Sequence, residues 1–163
     1  MKRRVVVTGI GALTPIGNNV NDTWKGILNH QCGIDLIQSF DTSNMKVKVA
    51  GELKDFEATE YLDKKDVRKM DKFIQYGLIA AKEAIKDSKL EIDSINHDRF
   101  GVVVSSGIGG LGSIEENHQR GLKKGFDRVS PYFIPMTIVN LAAGQIAIAF
   151  KAQGLATCPV TAC

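Results

Sequence analysis

The residue of this chain best suited to covalent chemistry is Cys163. It closes the run Leu155 to Cys163, Leu-Ala-Thr-Cys-Pro-Val-Thr-Ala-Cys. An apolar and β-branched stretch that stops in small residues is the pattern of a strand delivering a thiol to a turn. A free thiol titrates near about 8.5, and a helix beginning just after such a turn favours the thiolate through its unpaired amides and positive dipole end. The sequence places no residue after Cys163, so the expectation is one half of an enzyme, divided at its nucleophile. Cys158, inside the same run, reads as a buried small hydrophobe rather than a reactive group.

Two glycine-rich turns point to a different chemistry, the cradling of phosphate. Gly107-Ile108-Gly109-Gly110-Leu111-Gly112 completes G-x-G-x-x-G after an apolar run, and Ser113 with Glu116 predicts a capping box at the next helix start. Asp127 stands near the spacing of a ribose-binding acid. Against a dinucleotide unit, residues 121–128 lack the apolar run of its second strand. The same glycines would also serve close approach of backbone to a substrate or to the nucleophile's turn. Gly9-x-Gly11 is a weaker match, because Thr14 stands at the third glycine position and Pro15 follows in a stretch without helical periodicity. Metal chemistry has less support still: His30 and Cys32 are close in sequence, but no second cluster with ligand spacing accompanies them.

Recognition of an acidic partner is the third possibility. In Lys64-Lys65-Asp66-Val67-Arg68-Lys69 the cations Lys65, Arg68 and Lys69 are three and four apart and share one side of a helix start. Cations there oppose the macrodipole, so helix stability does not explain them. A solvated charged face is the competing reading.

The elements that must position these groups follow from the apolar pattern. Val5-Val6-Val7 before Thr8-Gly9 predicts a strand buried on both faces in mid-sheet. Asn21, Asp22 and Thr23 offer caps for a helix that buries Trp24, Ile27 and Leu28 and ends near Gly33. Val47, Val49 and Gly51 alternate with lysines, as on a half-exposed edge. After Asp63, Met70, Phe73, Ile74, Gly77, Leu78, Ala81 and Ile85 line one face of a single helix. Residues 100–105 read as a second buried strand, 130–135 as a loop holding Tyr132 and Phe133, and 138–150 as a buried helix rich in Ala and Gly. The last strand begins at Ala156 and ends at Thr161, with an irregular point or edge at Pro159.

Composition narrows the class. A chain of 163 residues with 44% hydrophobic content supports one core or one lobe of something larger. A net charge of +3 is too small to argue for nucleic acid, so any basic surface must come from local clustering. Three cysteines and no apolar N-terminal targeting run indicate a reducing, cytoplasmic setting without a disulfide framework. The longest apolar stretch is interrupted by Asn140, Gly144 and Gln145 and is too short to cross a membrane.

Taken as a set, Val5 to Gly11, Arg68-Lys69-Met70-Asp71-Lys72-Phe73, Gly107 to Gly110, Pro135-Met136-Thr137-Ile138-Val139-Asn140 and Thr161-Ala162-Cys163 resemble the β-ketoacyl-acyl-carrier-protein synthases. The resemblance extends over the whole chain and is strongest to the elongating condensing enzymes of type II fatty acid synthesis. It implies the α/β thiolase fold, two βαβαβαββ halves in αβαβα layers, of which residues 1–163 are most of the first. It implies that Cys163 takes an acyl group from an acyl-carrier thioester and supplies one amide of the oxyanion hole. A malonyl thioester then loses carbon dioxide, and its carbanion attacks the acyl cysteine, with two histidines stabilising the oxyanion. His30, His97 and His118 match neither histidine, so the 163-residue chain alone is expected to be inactive. No metal and no cofactor are implied.

The resemblance also assigns surfaces. Lys65, Arg68 and Lys69 correspond to the carrier-protein docking surface, with Arg128 and Lys124 as a second part. Ile108 corresponds to a residue against the acyl chain and Ile134 to one reaching a neighbouring subunit's pocket. The strand from Ala156 to Thr161 corresponds to one that pairs antiparallel across a homodimer axis. The partners implied are acyl carrier protein and a second copy, with no nucleic acid and no membrane. Competing readings are a non-condensing chain-length-factor type of partner, which lacks the cysteine, a nucleotide-binding module at Gly107 to Gly112, and a non-enzymatic dimerisation fragment.

Overall fold

Residues 3–160 are described by the computed structural model. Thr161, Ala162 and Cys163 lie outside the described residues. In chain order the elements are α1 (Val20–Leu28), β1 (Asp35–Leu36), β2 (Val49–Ala50), α2 (Lys64–Val67), α3 (Lys72–Ser88), β3 (Val102–Val103), α4 (Leu111–Lys124), α5 (Phe133–Thr137), α6 (Leu141–Ala149) and β4 (Ala156–Thr157). Helices and short strands are interspersed along the chain, as in an α/β protein. The chain divides into two compact units, Met1–Glu57 with Ala80–Leu90, and Ala58–Ile79 with Glu91–Cys163.

In the first unit β1 pairs antiparallel with β2, Asp35 opposite Ala50 and Leu36 opposite Val49. Helix α1 is capped by Asn19, whose side chain accepts the Asp22 amide at 2.8 Å, slightly earlier than the caps read from sequence. The expectation that this helix buries Trp24, Ile27 and Leu28 is not met: all three are exposed, Trp24 at 59%. Its buried residue is Gly26, which brings the helix backbone against Ile16, within 3.1 Å of where a Cβ would stand. The strand expected at Val5 to Val7 forms no ladder and is exposed, Val5 at 93%. An all-apolar run needs a neighbour on each face, and the described residues supply none.

The Gly9–Gly11 segment, which forms no turn, lies directly on the C-terminal part of α3, where a Cβ at Gly11 would come within 1.9 Å of the Ala80 carbonyl. The Ile10 amide donates to Asp87 and the adjoining Ala12 amide to one oxygen of Glu83, whose other oxygen accepts the amide of Val20 at the start of α1, each at 2.9 Å. A phosphate would find these donors occupied.

In the second unit Ile74 and Leu78 of α3, Val102 of β3 and Ala142, Ala143 and Ile146 of α6 are buried. Each large aliphatic side chain buried this way contributes about 1.5–3 kcal/mol. Gly77 opens room for the small residues of α6, with Ala142 and Ile146 at ordinary contact distance from its missing Cβ. β3 and β4 pair in parallel, Val102 opposite Ala156 and Val103 opposite Thr157. The strand expected over 100–105 is therefore shorter and one-sided, since Val102 is buried and Val103 exposed. Phe133 falls in α5 rather than in the expected loop.

The long helix expected from Asp63 onward is broken between α2 and α3. Asp71 is the cause. Its main-chain oxygen accepts the Ile74 and Gln75 amides, and its carboxylate accepts the Phe73 amide at 3.3 Å, which starts a new helix. The Gln75 side chain donates to the carbonyls of Val67 at 3.1 Å and Met70 at 2.8 Å, satisfying acceptors that the break leaves open.

Candidate functional site

The Gly107–Gly112 turn leaves β3 and enters α4. Gly109 has φ +85°, in the left-handed region, and a Cβ there would stand 2.5 Å from the Thr137 carbonyl. The Gly110 amide donates to that carbonyl at 3.1 Å, and the Gly109 amide donates to the Ser106 hydroxyl at 3.0 Å. Gly110 caps α4 and has no side chain to offer. Asp71 supplies the missing cap: one carboxylate oxygen accepts the Ser113 amide at 3.2 Å and the Ser113 hydroxyl at 2.5 Å. Ser113 thus lies inside the helix, and the expected capping box is not formed, because Glu116 pairs with Arg120 at 2.6 Å instead.

This arrangement decides between the two uses of the glycines. The N-terminus of α4, where a pyrophosphate would sit, already holds a carboxylate of the protein itself. The turn is built for close backbone approach to α5. Asp71 carries a local signal for the first of its two caps only, since an aspartate inside a helical pattern is a poor interior residue and a good cap.

Ile108 projects from this turn and is 67% exposed; Ile134, on α5, is also exposed. The hydrogen bond from Gly110 to Thr137 joins the segments that carry them. Because β3 and β4 are parallel, the chain leaves both at the same end of the pair. Residues 158–160 therefore depart from the end at which the Ile108 turn begins. Cys158 is half-buried, short of the full burial expected of it, and Cys163 lies outside the described residues.

The basic residues fall into two exposed groups. Lys65 is on α2, with Arg68 and Lys69 on the turn after it; Lys124 ends α4, and Arg128 is in the 3-10 turn Phe126–Arg128. A one-turn α2 has little macrodipole for cations to oppose, so the dipole argument from sequence no longer applies to Lys65, Arg68 and Lys69. Lys124 suits the negative end of α4. The Lys69 ammonium lies 4.0 Å from Asp66 and 5.7 Å above the Tyr132 ring. The exposed ion pair is worth at most about 1 kcal/mol, while the ring contact ties Lys69 to the segment that follows Arg128.

His30 and His118 are exposed, and His97 Nδ1 lies 2.9 Å from the Lys151 carbonyl. Among the described residues no three potential ligands gather closely enough to hold a metal ion, and no helix is long and apolar enough to cross a membrane.

Residues 2–163 match the family model described as Beta-ketoacyl synthase, N-terminal domain. The chain is 51% identical over 162 residues to 3-oxoacyl-[acyl-carrier-protein] synthase 2 of Vibrio harveyi. It is 48% identical over 161 residues to the protein of that name in Staphylococcus aureus strain COL. Each alignment covers 99% of this chain and 39% of the relative, so the chain spans well under half of their length. Among solved structures, the ishigamide ketosynthase/chain length factor superposes with a TM-score of 0.85 at 26% identity, over 99% of this chain and 40% of that one. A type II PKS acyl-carrier protein in complex with its ketosynthase bound to the hexaketide gives 0.76 at 27% identity, over 100% and 44%.

Proposed function

Since the chain belongs to the β-ketoacyl synthase family and has the thiolase-like ketosynthase fold, we propose that the protein it forms part of is a 3-oxoacyl-[acyl-carrier-protein] synthase that elongates fatty acyl chains. The identity of about half of all residues with the synthase 2 relatives, over 99% of this chain, carries the reading. Residues 1–163 are most of the N-terminal half of the condensing domain. The Cys163 thiolate attacks the carbonyl of an acyl-carrier thioester, the carrier thiol leaves, and the acyl group rests on sulfur. Decarboxylation of a malonyl thioester then yields a carbanion that attacks the acyl carbon and expels the thiolate. Ile108 and Ile134, exposed on joined segments, meet the acyl chain.

Acyl carrier protein docks on Lys65, Arg68, Lys69, Lys124 and Arg128, all of them exposed. The protein is a cytoplasmic homodimer. Support comes from β4, whose outer edge has no strand partner among the described residues and is open to pairing with a second copy. A non-condensing chain-length-factor role is disfavoured by Cys163. Intact mass of the whole protein after incubation with acyl-carrier thioester tests the assignment. An acyl adduct is expected on the parent and none on Cys163→Ala; an adduct that survives the substitution refutes it.

A further inference from the structure

We propose that Asn117 is a positioning residue for carrier-protein recognition, fixing Arg128 and the Lys69 group at one spacing from inside the second unit. The inference rests on the docking surface proposed above.

Asn117 lies on α4 and is 3% exposed. A polar side chain buried to this degree is costly unless it is hydrogen-bonded. Its nitrogen donates to the Ser113 carbonyl at 2.8 Å, within its own helix. Its oxygen accepts the Ser130 amide at 3.0 Å and so holds the segment that follows α4. That segment is pinned at its other end as well. Gly125, with φ +91°, terminates the helix, and the Phe126 ring lies on Gly121, within 2.6 Å of where a Cβ would stand. Asn117 and Gly121 are one helical turn apart on the same face. Arg128 sits between the two pins, its amide donating to the Gly125 carbonyl at 3.0 Å.

The tether continues past Ser130. The Ser130 hydroxyl accepts the Tyr132 amide at 3.1 Å, and the Tyr132 ring carries the Lys69 ammonium. Both cationic groups are thereby referenced to the same buried side chain. An acidic partner that engages both at once gains from fixed spacing, because the second contact forms at high effective concentration. Releasing the Ser130 amide removes no cation from the surface and loosens only their spacing.

The test measures the Kd of acyl carrier protein for the whole enzyme. Asn117→Ala should raise it by about tenfold, a loss of two-point engagement, and should raise KM for the carrier-bound donor while kcat holds. Asn117→Asp, which keeps an acceptor facing Ser130, should stay closer to the parent. Gly121→Ala, which displaces Phe126 from the other pin, should reproduce the loss and decides the matter if Asn117→Ala fails to fold. In an Arg128→Ala background neither substitution should weaken binding further. A parent-like Kd for Asn117→Ala, or an equal further loss in that background, overturns the proposal. An unchanged Kd for Arg128→Ala and for Lys69→Ala alone would instead refute the docking surface, and the positioning role with it.

Discussion

Gly110 and Gly112 sit in the same junction between turn and helix and answer to opposite constraints. A Cβ at Gly110 would come within 2.3 Å of the Met136 carbonyl, a backbone atom that cannot step aside, whereas nothing lies within 4 Å of one at Gly112. Gly110→Ala should cost about 1–3 kcal/mol or more through overpacking, and Gly112→Ala, inside α4, should stabilise by up to about 1 kcal/mol. Urea midpoints of the two variants test this; equal shifts would show that the close approach to α5 is not what the turn is for. Ile108 is the side chain that this turn presents. Ile108→Phe should slow transfer of long acyl chains relative to short ones by about tenfold, in line with the 1–3 kcal/mol of overfilling an apolar site. Equal turnover of both lengths would remove Ile108 from the pocket. Ile108 could be named in the sequence by family resemblance, but Asp71 could not be given its role, because a cap contributed by a residue far earlier in the chain leaves no local pattern.

The two helices that Asp71 starts depend on a single carboxylate. It accepts the Phe73 amide at the head of α3 and the Ser113 amide and hydroxyl at the head of α4. Asp71→Ala should destabilise by about 1–2 kcal/mol, the range of a lost cap. Asp71→Asn should fall between, since an amide oxygen still accepts but brings no charge to the two positive helix ends. Thermal unfolding ranks the three proteins; an Asn variant as stable as the parent would mean that charge plays no part. At this scale the 3.6 period was legible, for Ile74 and Leu78 are buried where the pattern puts them. Met70 is buried too, but ahead of α3. Periodicity records which side chains face inward and is blind to a break that preserves their direction. The Ser113–Glu116 box misled for a related reason: its spacing fits a cap, yet Asp71 already satisfies the Ser113 amide and Glu116 has Arg120 one turn away.

At the scale of the whole molecule, an apolar run in the sequence is not the same thing as a buried one in the structure. Val5, Val6 and Val7 read as a central strand and are exposed, Trp24 reads as core and is exposed, and the chain spans 39% of its Vibrio harveyi relative. Burial on both faces is a property of neighbours, and a local pattern cannot say whether those neighbours belong to the same stretch of chain. Surface charge suffers less from this, because exposed cations need no neighbour to act at long range. A net charge of +3 spread evenly would steer nothing, yet Lys65, Arg68 and Lys69 gather on α2 and the turn after it, and Lys69 is tied to the segment beyond Arg128 through Tyr132. Reversing all three to glutamate in the whole protein should weaken binding of acyl carrier protein chiefly by slowing association. The difference from the parent should be greatest at low salt and shrink as ionic strength rises, since screening acts within about 10 Å at 0.1 M and about 3 Å at 1 M. Stopped-flow association rates across that range decide it. Parent-like rates at low salt would remove these residues from the encounter, while a deficit that persists unchanged at 1 M would assign them to short-range packing rather than to steering.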